Sequence, residues 1–256
     1  MSIQTDVAVE IADYVATVTM ARNPVNAADR AFRKKLIEVF DELGERKDVR
    51  CVVLQSSAKA FSAGVDLKDR PDPELWGDIT GTHRLTRETF NAVRECVKPV
   101  IGVVDGPAIG FGMVLAISCD IIVAAENAWF SMPEINVGLA GGVAAVQSFV
   151  PRSLARRLLF TGARITAKEL AQFGVLEAVP PERLDAFASA LAKELASKSP
   201  PALRYAKRSG NFAELMTPTE AYKFEQHYTT MLASSIDGLE ARRAMLEKRP
   251  PIFTED

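Results

Sequence analysis

From residue 7 the chain reads VAVEIADYVATVTM, with apolar and polar positions alternating on both sides of Ala12-Asp13. Alternation of period two marks a strand with one buried face, so the stretch predicts a hairpin of two short strands. The period then lengthens. In ADRAFRKKLIEVFDELGER, residues Phe32, Leu36, Val39, Phe40 and Leu43 recur at helical spacing and Gly44 stands near the end, which predicts an amphipathic helix. CVVLQSS and PVIGVVDG lack alternation, and short apolar runs of this kind predict strands covered on both faces. Between them HRLTRETFNAVREC predicts a helix, and DIIVAAENAWFSM supplies two further short strands. Strands separated by connections of helical length imply a parallel sheet with crossover helices, an α/β fold.

From about Ser153 the texture becomes helical, through SLARRLLFTG, TAKELAQFG, ERLDAFASALAKELASK, PPALRYAKRSG, TEAYKFEQHYTTMLAS and DGLEARRAMLEKR. The prolines of SKSPPALRYAK fall in the first turn of a helix, where a missing N–H costs nothing. A boundary is expected near Ser199. Beyond it, Leu215, Tyr222, Phe224, Tyr228, Met231 and Leu232 form an apolar stripe. With little chain left to bury it, the stripe is expected to pack on the core or on another subunit.

Composition narrows the function classes. The chain has 256 residues, 48% of them hydrophobic, and a net charge of −2, so one large domain, or a domain with a helical appendage, is expected. No Lys/Arg run stands out, which argues against nucleic acid and anionic membrane as partners. No apolar run is long enough to span a bilayer, and the start MSIQTDVAVEIAD lacks the pattern of a secretory signal. Cys51, Cys96 and Cys119 are odd in number and far apart, fitting neither a disulfide framework nor a zinc pattern, so a reduced, cytoplasmic location is the expectation. His83 and His227 have no metal-ligand spacing, and no metal is expected.

Three stretches have the composition of a reactive site. GPAIGFGMVLAISCD places Gly106, Gly110 and Gly112 between a buried strand and an apolar helix start. AFSAGVDLKD likewise follows a buried strand with small residues, Ser62, Ala63 and Gly64. Glycines there either let helix and strand pack closely or let a ligand reach bare N–H groups; two such groups aimed at one point would form an oxyanion hole. In FSMPEINVGLAGG, Glu134 is a lone acid among apolar and small residues. It is either a surface acid on a bend or a desolvated carboxylate with a raised pKa, suited to proton transfer. Asp120, after Cys119, reads as a structural cap.

Taken in order, KAFSAGVDLKD, KPVIGVVDGPAIGFGMVLAISCDIIVAAENAWFSMPEINVGLAGG and LFTGARITAKELAQFGVLEAVP resemble the enoyl-CoA hydratase/isomerase (crotonase) superfamily, and NPVNAADR and EKRPPIF fit at either end. The resemblance implies a crotonase-like (ClpP/crotonase) spiral of ββα units over residues 1–198, carrying the CoA-binding and active site. A helical region over 199–256 would assemble the chain as a homotrimer or dimer of trimers. The implied substrate is an acyl-coenzyme A thioester, with no permanently bound cofactor.

Carried onto this sequence, the resemblance puts the two enolate-stabilising N–H groups at Val65 and Phe111. It puts CoA and substrate contacts at Arg22, Val25, Ala63, Asp66, Leu67, Gly110, Val114 and Gly138. Position 111 is usually glycine in the family; phenylalanine keeps the N–H and is expected to narrow the acyl pocket. Hydratases of the family use two glutamates. One matches Glu134, whereas the other falls at Val114, which transfers no proton. A double-bond shift needs a single base, so the resemblance implies a single-glutamate enoyl-CoA isomerase, with an enoyl-CoA hydratase as the alternative. A non-catalytic or RNA-associated homologue is the alternative of another class, and the near-neutral charge argues against RNA. Candidates to replace the missing acid are His83, Arg87, Glu88 and Asn136, and Trp76 lies in a variable loop expected over the acyl tunnel.

Overall fold

The computed structural model describes residues 6–69 and 71–254. Strands β1 (Val7–Ala12) and β2 (Val15–Met20) form the expected hairpin. Its two-residue loop holds Asp13 and Tyr14 at positive φ, 51° and 63°, the conformation that matches hairpin twist. β3 (Cys51–Ser56) and β4 (Val100–Val104) pair in parallel beside β2, and all five β4 residues are buried.

Of the next strands, β5, β8 and β9 are shorter than sequence periodicity resolves. β5 (Ala108–Ile109) leaves the large sheet, β6 (Ile121–Ala125) rejoins it, and β7 (Trp129–Ser131) leaves it again. β8 (Arg164–Thr166) pairs antiparallel with β7, and β9 (Glu177–Val179) closes the edge beside β6. The result is a large sheet of order β1-β2-β3-β4-β6-β9, parallel from β2 onward, and a smaller sheet β5-β7-β8. The two strands predicted in DIIVAAENAWFSM thus belong to different sheets.

Helix α1 (Arg30–Glu45) buries the five apolar residues that predicted it, each worth about 2 kcal/mol of burial. Asp29 Oδ1 caps it by accepting from Phe32 N at 2.8 Å. α2 (Asp78–Arg94) starts five residues before the expected His83, because Gly77 at φ 79° turns the chain into the helix and Arg30 holds Asp78 at 2.6 Å. α3 (Phe111–Ile117) follows β5, and α4 (Val143–Phe149), which the sequence did not reveal, follows the Gly141-Gly142 turn. α5 (Arg152–Thr161) and α6 (Ala167–Ala171) flank β8. α7 (Leu184–Ala196) lies on β2, β3, β4 and β6, burying Leu184, Ala188, Ala192 and Ala196. Alanine every four residues gives it a thin stripe that approaches the sheet closely.

α8 (Pro200–Ala213) carries its prolines in the first turn, with Ser199 as cap. Its Lys207 reaches Asp120 Oδ2 at 2.7 Å, and the same oxygen accepts from Val100 N at 2.7 Å. Asp120 therefore pins α8 to the start of β4. α9 (Pro218–Ala233) and α10 (Ile236–Glu247) follow, each begun by a hydroxyl cap. The C-terminal stripe divides. Phe224 and Tyr228 pack within the helical region, on Phe212 and Tyr205 of α8, while Leu215, Tyr222 and Met231 remain exposed. Two aromatic rings on α8 match those of α9.

Candidate active site

The site grows from a run of parallel stretches outside the main sheet. Residues 24–28 run beside 59–66: Ala63 N donates to Val25 O at 2.9 Å, Ala28 N to Gly64 O at 2.8 Å, and Asp66 N to Ala28 O at 3.1 Å. Ser62 in turn bridges Ala108 in parallel, with Ile109 N donating to Ser62 O at 2.9 Å. β5 then pairs in parallel with β7, and Gly110 N donates to Ser131 O at 2.8 Å. All these stretches run in the same direction. Their C-terminal ends, at Val65, Phe111 and Glu134, therefore emerge on one side. Ends of parallel strands leave backbone groups unpaired, which is why ligands bind there.

Asn26, which lies in the NPVNAADR motif without a role of its own among the sequence candidates, locks the ladder. It is fully buried at φ 51°, and its Nδ2 donates to Ser56 Oγ at 2.8 Å and Phe61 O at 3.1 Å. Its own carbonyl accepts from Ser62 Oγ at 2.8 Å. The signal was available: asparagine is among the few residues with a side chain that tolerate the left-handed region.

The glycines of the GPAIGFG stretch are used for close approach. A β-carbon on Gly110, at φ 54°, would collide with Glu134 Oε1. One on Gly112 would collide with Ser62 O. Gly110 thus admits the carboxylate, and Gly112 lets α3 sit on the 60–65 loop. The Val65 and Phe111 N–H groups engage in no hydrogen bond among the described residues, and Phe111 N opens α3, where the helix dipole favours negative charge.

Glu134 sits in a 3-10 turn, Pro133–Val137, closed by Gly138 at φ 74° and by Leu139 N donating to Glu134 O at 2.9 Å. Its Oε2 is buried without a hydrogen-bond partner, and burial raises the carboxyl's pKa above its ordinary value. The Gly141-Gly142 turn lies between Glu134 and Val114: a β-carbon on Gly141 would stand 3.8 Å from Glu134 Cγ. Val114 is 7% exposed, and a β-carbon on Gly142 would stand 2.8 Å from Val114 Cγ2, so the valine packs directly on that turn.

The remaining candidates fall elsewhere. The Phe111 ring is buried against Phe90 of α2, centroids 5.0 Å apart. Arg22 is engaged by carboxylates, with Asp29 at 2.7 Å, Asp6 at 3.2 Å and Asp66 at 3.4 Å, and its Nε donates to Ala27 O. Asp66 also accepts from Lys68 N at 2.9 Å, and that bond, followed by Arg22, lowers its pKa. Leu67 is exposed on the following turn. His83 and Arg87 are exposed on α2, and Glu88 is taken by Arg87 and Asn91. Asn136 faces Gly162, and Trp76 is fully exposed. None of these side chains is shown against Glu134.

The family model described as enoyl-CoA hydratase/isomerase matches residues 10–256. A (7aS)-7a-methyl-1,5-dioxo-2,3,5,6,7,7a-hexahydro-1H-indene-carboxyl-CoA hydrolase of Mycobacterium tuberculosis is 34% identical over 91% of this chain and 95% of its own length. The human mitochondrial Delta(3,5)-Delta(2,4)-dienoyl-CoA isomerase is 32% identical over 84% of this chain and 73% of its own. Among solved structures, an enoyl-CoA hydratase of Mycobacterium smegmatis superposes with a TM-score of 0.91 at 29% identity, covering 96% of this chain and 98% of that one.

Proposed function

This chain belongs to the enoyl-CoA hydratase/isomerase family, and from that premise we propose that it shifts the double bond of an enoyl-CoA thioester, with Glu134 as its single proton carrier. That it is an acyl-CoA-processing enzyme of the crotonase fold follows from the family; the reaction is the proposal. In the proposed cycle the thioester oxygen accepts from the Val65 and Phe111 N–H groups. Glu134 removes a proton from C2 of a 3-enoyl chain, and the negative charge passes to the oxygen as a dienolate. The same carboxyl returns the proton at C4, which leaves the double bond between C2 and C3. Atoms and charge balance without water or cofactor. Preorganised donors aimed at the developing oxyanion typically supply the greatest share of the rate enhancement in such reactions.

The observation that carries this reading is the pairing of one buried, unpartnered carboxylate with an apolar wall at Val114. Adding water across a double bond needs a second group to hold and deprotonate that water, and position 114 offers none. Val25, Ala63, Asp66, Leu67, Gly110 and Gly138 are proposed to line the CoA and acyl path. Arg22 is given a positioning role, holding the 22–29 segment against Asp66. Self-association as a trimer or dimer of trimers is supported by the exposed apolar residues of α9 and α10, among them Tyr222, Met231, Met245 and Leu246.

The test is incubation with 2-enoyl- and 3-enoyl-CoA panels in deuterated water, read by product mass and label position. A positional isomer is the expected product, with deuterium at C4 only to the extent that the Glu134 carboxyl exchanges with solvent before it returns the proton. A 3-hydroxyacyl-CoA as main product would replace isomerisation by hydration. The similarity to the mycobacterial hydrolase favours a second reading, hydrolytic cleavage within an acyl-CoA, and a product that has gained water with loss of a carbon–carbon or thioester bond would select it.

A further inference from the structure

A second concave site lies on the opposite end of α2 from the 66–78 loop. Where α2 ends, the chain turns through Glu95, Cys96 and Val97, and α8 crosses it, leaving a cleft of about 490 Å³. That is within the size range of small-molecule sites. Its floor is apolar, formed by Val97, Phe212 and Leu215, which remain exposed. Its walls carry Arg94, Arg204, Lys207 and Arg208, against one lining acid, Glu95. No residue of the Glu134 site lines it.

The four cations are not equivalent. Arg94 is paired with Glu214, and Lys207 with Asp120. Lys207 also donates to Lys98 O at 3.1 Å, and Asn211 Nδ2 donates to Arg94 O at 3.1 Å. With Lys207 also 3.5 Å from Val93 O, the last carbonyls of α2, Val93 O and Arg94 O, are already served, so the other two arginines are not needed to cap it. Arg204 makes no ion pair or hydrogen bond among the described residues, and its Nε is buried without a partner. Among the described residues Arg208 makes no ion pair and faces the Phe212 ring, 5.8 Å from its centroid. A guanidinium donor held away from water with no acceptor is costly, and an anionic oxygen is the group that removes the cost.

We propose that this cleft binds an amphipathic organic anion, a carboxylate or phosphate head held by Arg204 and Arg208 with its apolar body over Val97, Phe212 and Leu215. The head accepts from Arg204 Nε, and the unpaired guanidiniums supply the charge complement. The apolar floor excludes a bare inorganic ion as the fitting occupant.

Titration calorimetry of the whole chain with decanoate, decyl phosphate and inorganic phosphate tests it. Expected is binding of at least one decyl probe, weakened about tenfold or more by Arg208→Gln and by Arg204→Gln, equivalent to about 1.4 kcal/mol or more. A saturating non-reactive acyl-CoA analogue should leave that binding unchanged, whereas its loss would place the decyl probe in the acyl site and overturn the proposal. Arg208 is exposed, so its variant keeps the test decisive if Arg204→Gln unfolds. Which decyl probe binds tighter names the head group. Equal binding by wild type and both arginine variants, phosphate binding as tightly as the decyl probes, or no heat from either decyl probe would each overturn the proposal. So would a change in molecular mass of Arg208→Gln by light scattering, because the cations would then serve a contact between copies.

Discussion

Two carboxylates stand at the ends of the same parallel ladder and have opposite fates. Asp66 receives Lys68 N and the Arg22 guanidinium, and these donors hold it below the usual carboxylate range. Glu134 emerges two strands away, with one oxygen against Gly110 and the other buried without a donor, and burial pushes it up. The chemical groups are nearly identical. Environment alone lowers one and raises the other, and titratable groups driven apart in this way mark acid–base sites, which supports the proton-carrying role proposed for Glu134.

The largest effect should come from removing the raised carboxylate. Glu134→Gln is expected to lower kcat by roughly 10²–10⁴-fold, while affinity for a non-reactive acyl-CoA analogue stays within about threefold; steady-state kinetics beside calorimetry would show both. Full turnover would place the base elsewhere. Gly110→Ala attacks the same contact from the other side. Its methyl collides with Glu134 Oε1 in a left-handed conformation, so kcat should fall about 10²-fold through misplacement of the carboxyl, with a lower melting temperature in the same preparation.

Val114→Glu sharpens the comparison by giving the apolar wall a second acid. The ratio of hydrated to isomerised product, measured by mass, should rise about tenfold or more, the lower end of what a positioned acid–base group contributes. An unchanged ratio would mean that the Val114 side chain does not face the acyl chain. The pH dependence follows from the direction of Glu134's shift. The base must be ionised, so kcat/KM should fall as pH drops through a midpoint above the ordinary glutamate value of 4.5. The stability supplied by Asp66 has the opposite sign of shift. It is present above the unfolded aspartate pKa and lost only as pH falls through the lowered folded value, so acid should inactivate the enzyme before it releases the loop. The smallest effect is expected from Arg22→Gln. It leaves Asp29, Asp66 and Asp6 without their shared cation, and should cost about 2–4 °C in melting temperature, as a loss near 1 kcal/mol does in a chain of this size, with kcat within about threefold.

The long-period features of this fold were legible in the sequence. The α1 stripe, the buried runs of β3 and β4 and the hairpin all have enough residues to display a period. β5, β8 and β9 have two or three residues each, and so few positions cannot show alternation. They are made by pairing with neighbours distant in sequence. α4 escaped for a related reason: seven residues with two alanines after a glycine pair present no helical face. The reach of Glu134 was readable from its apolar flanks, but its contact with Gly110 depends on β5 meeting β7. The bulk of Phe111 was visible, whereas its direction was fixed by Phe90, a partner 21 positions earlier. The cysteines give the same lesson. Scattered along the chain, all three are buried free thiols within the field of Asp120 and Lys207, and burial pushes Cys51 up to about 12.

The N–H groups proposed as donors, at Val65 and Phe111, belong to the main chain, and this has a consequence for how such a protein diversifies. Nineteen of the twenty encoded amino acids carry that N–H, so a codon change there deletes the donor only by writing proline. Side chains along the ladder's rim can be exchanged, one reaction traded for another, while the means of holding an enolate passes unaltered from ancestor to descendant.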